Sequence, residues 1–226
     1  MNKKFTQNND EDEDPVFPTQ KQPLGFSAKS QSFYNFTVHL SEEIKDASYY
    51  TKVFDLMLEA GENDIIDLMI ASPGGDLDGL NMLLEGMRLT DAHVRAILIG
   101  ACHSAASILA MNAHDVVVTD SCTMLVHGVR TGFGGKMVDL DAFTAHSKKV
   151  TDKLLRQSYE GFLTPDELKE VIHGRELWLD ADEVRERFER RQAYLEGTLA
   201  EAAVEVKPKR SSKKKKVIPV EEPTQA

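Results

Sequence analysis

Two hydrophobic spacings alternate along the middle of the chain. NFTVHL (35–40), DIIDLMIA (64–71), VRAILIG (94–100), DVVVTD (115–120) and TMLVHG (123–128) are short runs rich in Val, Ile and Leu, which predicts strands. Between them SYYTKVFDLMLEA (48–60), GLNMLLEGMRLT (79–90) and SAASILAMNA (104–113) repeat apolar residues near i, i+3 and i+4, the spacing of one helix face. DLDAFTAHSKKVTDKLLRQSYEGF (139–162) predicts one long helix. Apolar strands alternating with helices predict an α/β fold: a mainly parallel sheet with helices on both faces.

The two ends break this pattern. Residues 1–30 carry Asn, Asp, Glu, Gln and Pro with few apolar side chains, too little to offset the entropy of ordering, so a disordered acidic arm is expected there. A single domain is expected over 31–197, and a disordered Lys-rich tail over 198–226, where VKPKRSSKKKKVIPVEEPTQA combines a basic cluster with prolines.

Charge and cysteine content narrow the function classes. A formal charge of -10 opposes binding to nucleic acid by the chain as a whole, with the tail lysines as the local exception. The 2 cysteines, Cys102 and Cys122, suggest neither a disulfide framework nor a zinc site, which fits a reducing compartment. No run approaches the length of a membrane span, and residues 1–30 lack a signal-peptide core, so a cytoplasmic protein without membrane contact is expected.

Chemistry concentrates at two strand-to-helix junctions. In ASPGGDLDG (71–79), Pro73 fixes one φ while Gly74 and Gly75 allow conformations closed to other residues, so the turn can present N–H groups to an anion. It can equally be an ordinary tight turn. In GACHSAAS, Ser104 falls at a helix start, where the helix dipole favours a nucleophile; its plain alternative is an N-cap. Ser107 follows one helical turn later, where an apolar core is expected. A serine needs a base, and among 7 histidines His127 is the one that closes a strand before a glycine-rich stretch, whereas His103 beside Ser104 should point elsewhere.

SPGG at 72–75, GxxxS at 100–104 and MLVHG at 124–128, in that order, resemble the proteolytic subunit of Clp protease, a serine peptidase of the ClpP/crotonase fold. The separation of Gly75 from Ser104 follows the family spacing, and that of Ser104 from His127 is slightly shorter. The resemblance runs from about Phe33 to Tyr194, and RTGFGGKMVDLDAF is similar to the start of the family's protruding handle helix. It implies repeated β-β-α units, Ser104 as nucleophile, His127 as general base, and the N–H groups of Gly75 and Ala105 as an oxyanion hole. The position matching the family's orienting aspartate holds Glu176, with Asp180 as the fallback, although Asp180 matches a helix-capping position. His127-Gly128 also departs from the family's His-Gln-Pro, and the segment GRELWLDADEV looks more like phage and prophage members.

The resemblance further implies an endopeptidase acting on unfolded protein without cofactor, in a homo-oligomeric stacked ring fed by an AAA+ ATPase unfoldase. Two other readings compete: a non-catalytic scaffold or ring component in which Glu176 marks a lost triad, and a crotonase-type acyl-CoA enzyme, which gives no reason for the serine and histidine.

Overall fold

The computed structural model describes residues 33–130 and 136–205. The acidic arm expected over 1–30, the chain beyond Glu205 and part of the glycine-rich stretch before the handle lie outside the described residues. Strands β1 (Asn35–Leu40), β2 (Ile65–Ser72) and β3 (His93–His103) pair in parallel, with Leu68 opposite Val38 on one side and Ala96 on the other. The first half of β3 pairs with β4 (Asp115–Val118) and its last residues with β5 (Thr123–Val126), both in parallel. A short β6 (Leu177–Leu179) adds to β5 antiparallel and completes a six-stranded sheet. A mixed α/β fold with a mostly parallel sheet results, as the periodicity predicts.

Aspartate caps set two of the early helix starts. A 3-10 turn, Ala47–Tyr50, is capped by Asp46 and leads into α1 (Thr51–Glu59). α2 (Leu77–Leu89) starts earlier than its apolar spacing predicts because the Asp76 carboxylate accepts from the N–H groups of Asp78 and Gly79. α3 (Ala105–Met111) is wholly buried, its small residues letting it lie against the sheet. In α4 (Met137–Tyr159) only Leu155, Ser158 and Tyr159 are buried among the described side chains, so the helix is anchored at its C-terminal end. α5 (Pro165–Ile172) and β6 are additions to the predicted elements, and α6 (Ala181–Glu205) continues past the expected domain end at residue 197.

One expectation fails. Leu68, Ile70, Ala96 and Leu98 are fully buried beneath helices, but, Asp67 apart, the opposite side chains of the same strands are not. Met69, Ile97 and Val117 form one lateral row and His103, Leu125 and Trp178 another, all half-buried or exposed. Among the described residues, the helices therefore cover one face of the sheet rather than two. On the bare face the buried Asp67 accepts two bonds from the Arg95 guanidinium, at 2.7 and 2.9 Å.

Candidate active site

The carboxyl ends of β2, β3 and β5 meet at one edge of the sheet, and each delivers a predicted site residue. Between Ile70 and Ser72 the β2–β3 register shifts, re-aiming the end of β3 toward the turn that follows β2. Ser104 then makes the corner into α3 at φ 56 and ψ -123, and among the described residues it is the only non-glycine with positive φ. Such a conformation costs on the order of 1–3 kcal/mol and persists only where its surroundings enforce it. Those surroundings are visible: the Ser104 N–H donates to the Leu125 carbonyl (2.8 Å), and the Ser104 carbonyl accepts from Ser107 N–H (3.0 Å) and from Ser107 Oγ (2.7 Å).

These contacts separate the two readings of the serine. Ser104 occupies the N-cap position, yet its side chain caps nothing, so its hydroxyl is unspent and borders the cleft. Ser107 has the opposite fate. Fully buried, it joins the Ser104 carbonyl to the Tyr159 hydroxyl (2.5 Å), tying the corner to α4. Burial pushes the Tyr159 phenol well up, so it stays neutral and available for that bond.

The Pro-Gly-Gly turn fits against this corner. Gly74 has φ 90, and a Cβ there would lie 2.6 Å from the His103 carbonyl oxygen and 2.7 Å from Ser104 Cβ, so only glycine permits the approach. Ile44 N–H donates to the Gly74 carbonyl (2.8 Å) and Asp76 N–H to the Ile44 carbonyl (2.9 Å), a bridge that leaves the Gly75 N–H out. Ala105, first residue of α3, has an N–H without an intrahelical acceptor. These two donor residues line the same cleft as Ser104.

A cleft of about 450 Å³ is lined by Gly75, Ser104, Ala105 and His127, bringing four of the five predicted residues together. Glu43, Ile108 and Arg130 also line it; sequence reasoning missed them, and only Arg130, a cation three residues past the histidine, left a readable signal. His127 Nδ1 lies 2.6 Å from the Gly128 carbonyl. A carbonyl only accepts, so that contact needs the proton on Nδ1 and leaves Nε2 with the lone pair a base requires. His103 is directed away, bonded to Thr123 Oγ1 (3.0 Å) and edge-on to Trp178, and partial burial holds its imidazole below the usual histidine range.

Glu176 is the fifth residue. It lines a second cavity of about 550 Å³ together with His127, but its carboxylate pairs with the Arg130 guanidinium rather than the imidazole. Asp180 caps α6: its carboxylate accepts from the N–H groups of Asp182 and Glu183, both at 3.0 Å, while Glu183 returns a bond to the Asp180 N–H. No group of three or more His, Cys, Asp or Glu among the described residues could hold a metal ion. Likewise no helix among them is long and apolar enough to cross a membrane.

The family model described as Clp protease matches residues 22–187. No curated protein matches the sequence.

Proposed function

The chain belongs to the Clp protease family and is a Clp-type peptidase; from that premise we propose that it is a serine endopeptidase using Ser104, His127 and Glu176, with the N–H groups of Gly75 and Ala105 as oxyanion hole. The observation that carries this reading is Ser104 itself: a strained, non-glycine corner whose hydroxyl performs no structural task and borders the cleft beside a histidine. Strain of that kind is retained where it positions a reacting group.

The steps follow from these positions. His127 Nε2 takes the Ser104 Oγ proton as Oγ bonds to the scissile carbonyl carbon, and the displaced electron pair goes to the carbonyl oxygen, stabilised by Gly75 and Ala105 N–H groups. The intermediate collapses, the C–N bond breaks, and the amine leaves with the proton held on the imidazolium. Water, deprotonated by His127, then cleaves the acyl ester and restores Ser104. Glu176 orients the imidazole by accepting from Nδ1, replacing the Gly128 carbonyl in that role.

The bare sheet face supports a homo-oligomeric ring. A parallel sheet is normally covered on both sides, and a second copy could bury the rows centred on Ile97 and Leu125. An enclosed ring would admit only unfolded chains, which gives an AAA+ ATPase unfoldase its place as partner. Two free, buried cysteines accord with a reducing cytoplasm. One observation favours a second reading, a non-catalytic ring component: the Glu176 carboxylate is engaged by Arg130.

Hydrolysis of a fluorogenic peptide by wild type, Ser104→Ala, His127→Ala, Glu176→Gln and Asp180→Asn decides between them. The triad requires loss at the first three variants and retention at Asp180→Asn. A wild type that neither cleaves nor reacts with a fluorophosphonate, even with an ATPase of the family present, makes the scaffold reading the correct one.

A further inference from the structure

We propose that Arg130 is a positioning residue that latches Glu176 away from His127, so that release of this one ion pair completes the triad. The inference rests on the peptidase reading above and deepens it. Arg130 lines both the Ser104 cleft and the cavity behind His127, and Glu176 lines only the latter. His127 is common to both cavities, so it borders the serine's cleft and the carboxylate's cavity alike. On its Nδ1 side stands the Gly128 carbonyl, while Arg130 holds the Glu176 carboxylate. The structure thus shows two paired contacts whose exchange yields the working arrangement: Nδ1–H passes from the Gly128 carbonyl to Glu176, and Arg130 swings into solvent.

The exposure of the pair sets how firmly the latch holds. The Arg130 side chain is 79% exposed and that of Glu176 39% exposed. Water competes for such contacts and salt screens them, so the equilibrium is poised rather than locked. Arg187 and Glu167 show the contrast: 16% and 23% exposed, joined by two bonds of 2.8 and 3.0 Å, they form a fixed strut. The latch has the opposite design, since a negatively charged group arriving in the cleft could take Arg130 from Glu176 and complete the site as it binds. Substrates with an acidic side chain or a carboxylate near the scissile bond are the class that would do so.

The rate at which a neutral fluorophosphonate labels Ser104 reads the serine and histidine without substrate charge. Arg130→Gln should label about fivefold faster than wild type, the scale of an exposed ion pair. Arg130→Lys, which keeps the charge, should stay near wild type. In a Glu176→Gln background the Arg130→Gln gain should vanish. Raising salt from about 50 mM to about 500 mM should speed the wild type but not Arg130→Gln; this arm needs no variant to refold. Labelling that depends on Ser104 but is unchanged or slower in Arg130→Gln overturns the latch and leaves the peptidase reading standing. Folded protein unlabelled in both wild type and Arg130→Gln overturns the two together.

Discussion

The two walls of the cleft are built in opposite ways. Ser104, Gly74, Gly75 and Ala105 are set by backbone: a register shift, one strained corner, one glycine contact that admits no side chain, and a buried hydroxyl bridge beneath. Across the cleft, His127, Arg130 and Glu176 are set by side-chain contacts that neighbours can exchange. The difference teaches where precision is stored. The N–H groups of Gly75 and Ala105, the proposed oxyanion donors, are held by the backbone at the sheet's end, whereas Glu176, the proposed acid, is held only by a surface ion pair.

Substitutions test that contrast, beginning with the largest effect. Ser104→Ala should lower peptide hydrolysis by about 10³-fold or more while leaving thermal unfolding nearly unchanged, because the side chain makes no cap bond among the described residues. Equal loss of stability in calorimetry would mean that the serine is structural after all. Gly74→Ala should lose activity and about 3 kcal/mol of stability together, since φ 90 and a 2.6 Å clash must both be relieved. Denaturant titration beside the peptide assay measures both.

Arg191→Met probes the far end of the serine wall. Its guanidinium donates to the carbonyls of Met111, Ser158 and Glu160, joining α3, α4 and α6 without any carboxylate. Burial pulls the Arg191 pKa down, yet the three carbonyls keep the group satisfied. Its loss should cost about 2–3 kcal/mol by chemical denaturation, and a cost near zero would show the wall to be less braced than described.

The two Arg–Glu pairs give the sharpest small contrast. Arg187 beside Glu167, helped by Thr164, holds that carboxyl down at about 2, below its ordinary 4.5. A lowered folded value means stability that is present above the ordinary value and lost as pH falls from about 4.5 toward 2. Glu167→Gln should therefore cost about 2 kcal/mol at neutral pH and almost nothing near pH 2, seen as converging melting curves. Glu176→Gln should change stability by less than about 0.5 kcal/mol while slowing hydrolysis, the mark of an acid kept for chemistry rather than for folding.

Much of the serine wall was legible because backbone demands specific residues. Pro-Gly-Gly after a strand and Ser at a helix start are local signals, and the structure brings both to one cleft. Strand β1 falls at 35–40 as its alternation predicts. α5 was missed although Thr164, Pro165 and Glu167 spell a capping box with proline at the first turn; its eight residues are too few for periodicity to register. β6 has three residues, and only its pairing with β5 makes it a strand. The partner of Glu176 could not be read at all. Which of two exposed contacts a flexible carboxylate makes depends on the placement of Arg130, and no spacing in the sequence encodes that.

The uncovered sheet face has a consequence for how this chain keeps its fold. In the proposed ring, apolar area on β3, β4, β5 and β6 that stays wet in one copy would become dry where copies meet, so part of the free energy of folding would reside in association. Mass action then sets the melting temperature: dilution should lower it, and concentration should raise it, with no change in sequence or buffer. The row of Ile97 and Val117 makes a folded but solitary chain adhesive, and the Asp67–Arg95 pair beside it penalises any neighbour that cannot accommodate a charge. If the proposed ring forms, a lone copy is the least stable condition of this chain, and a second copy finishes its core.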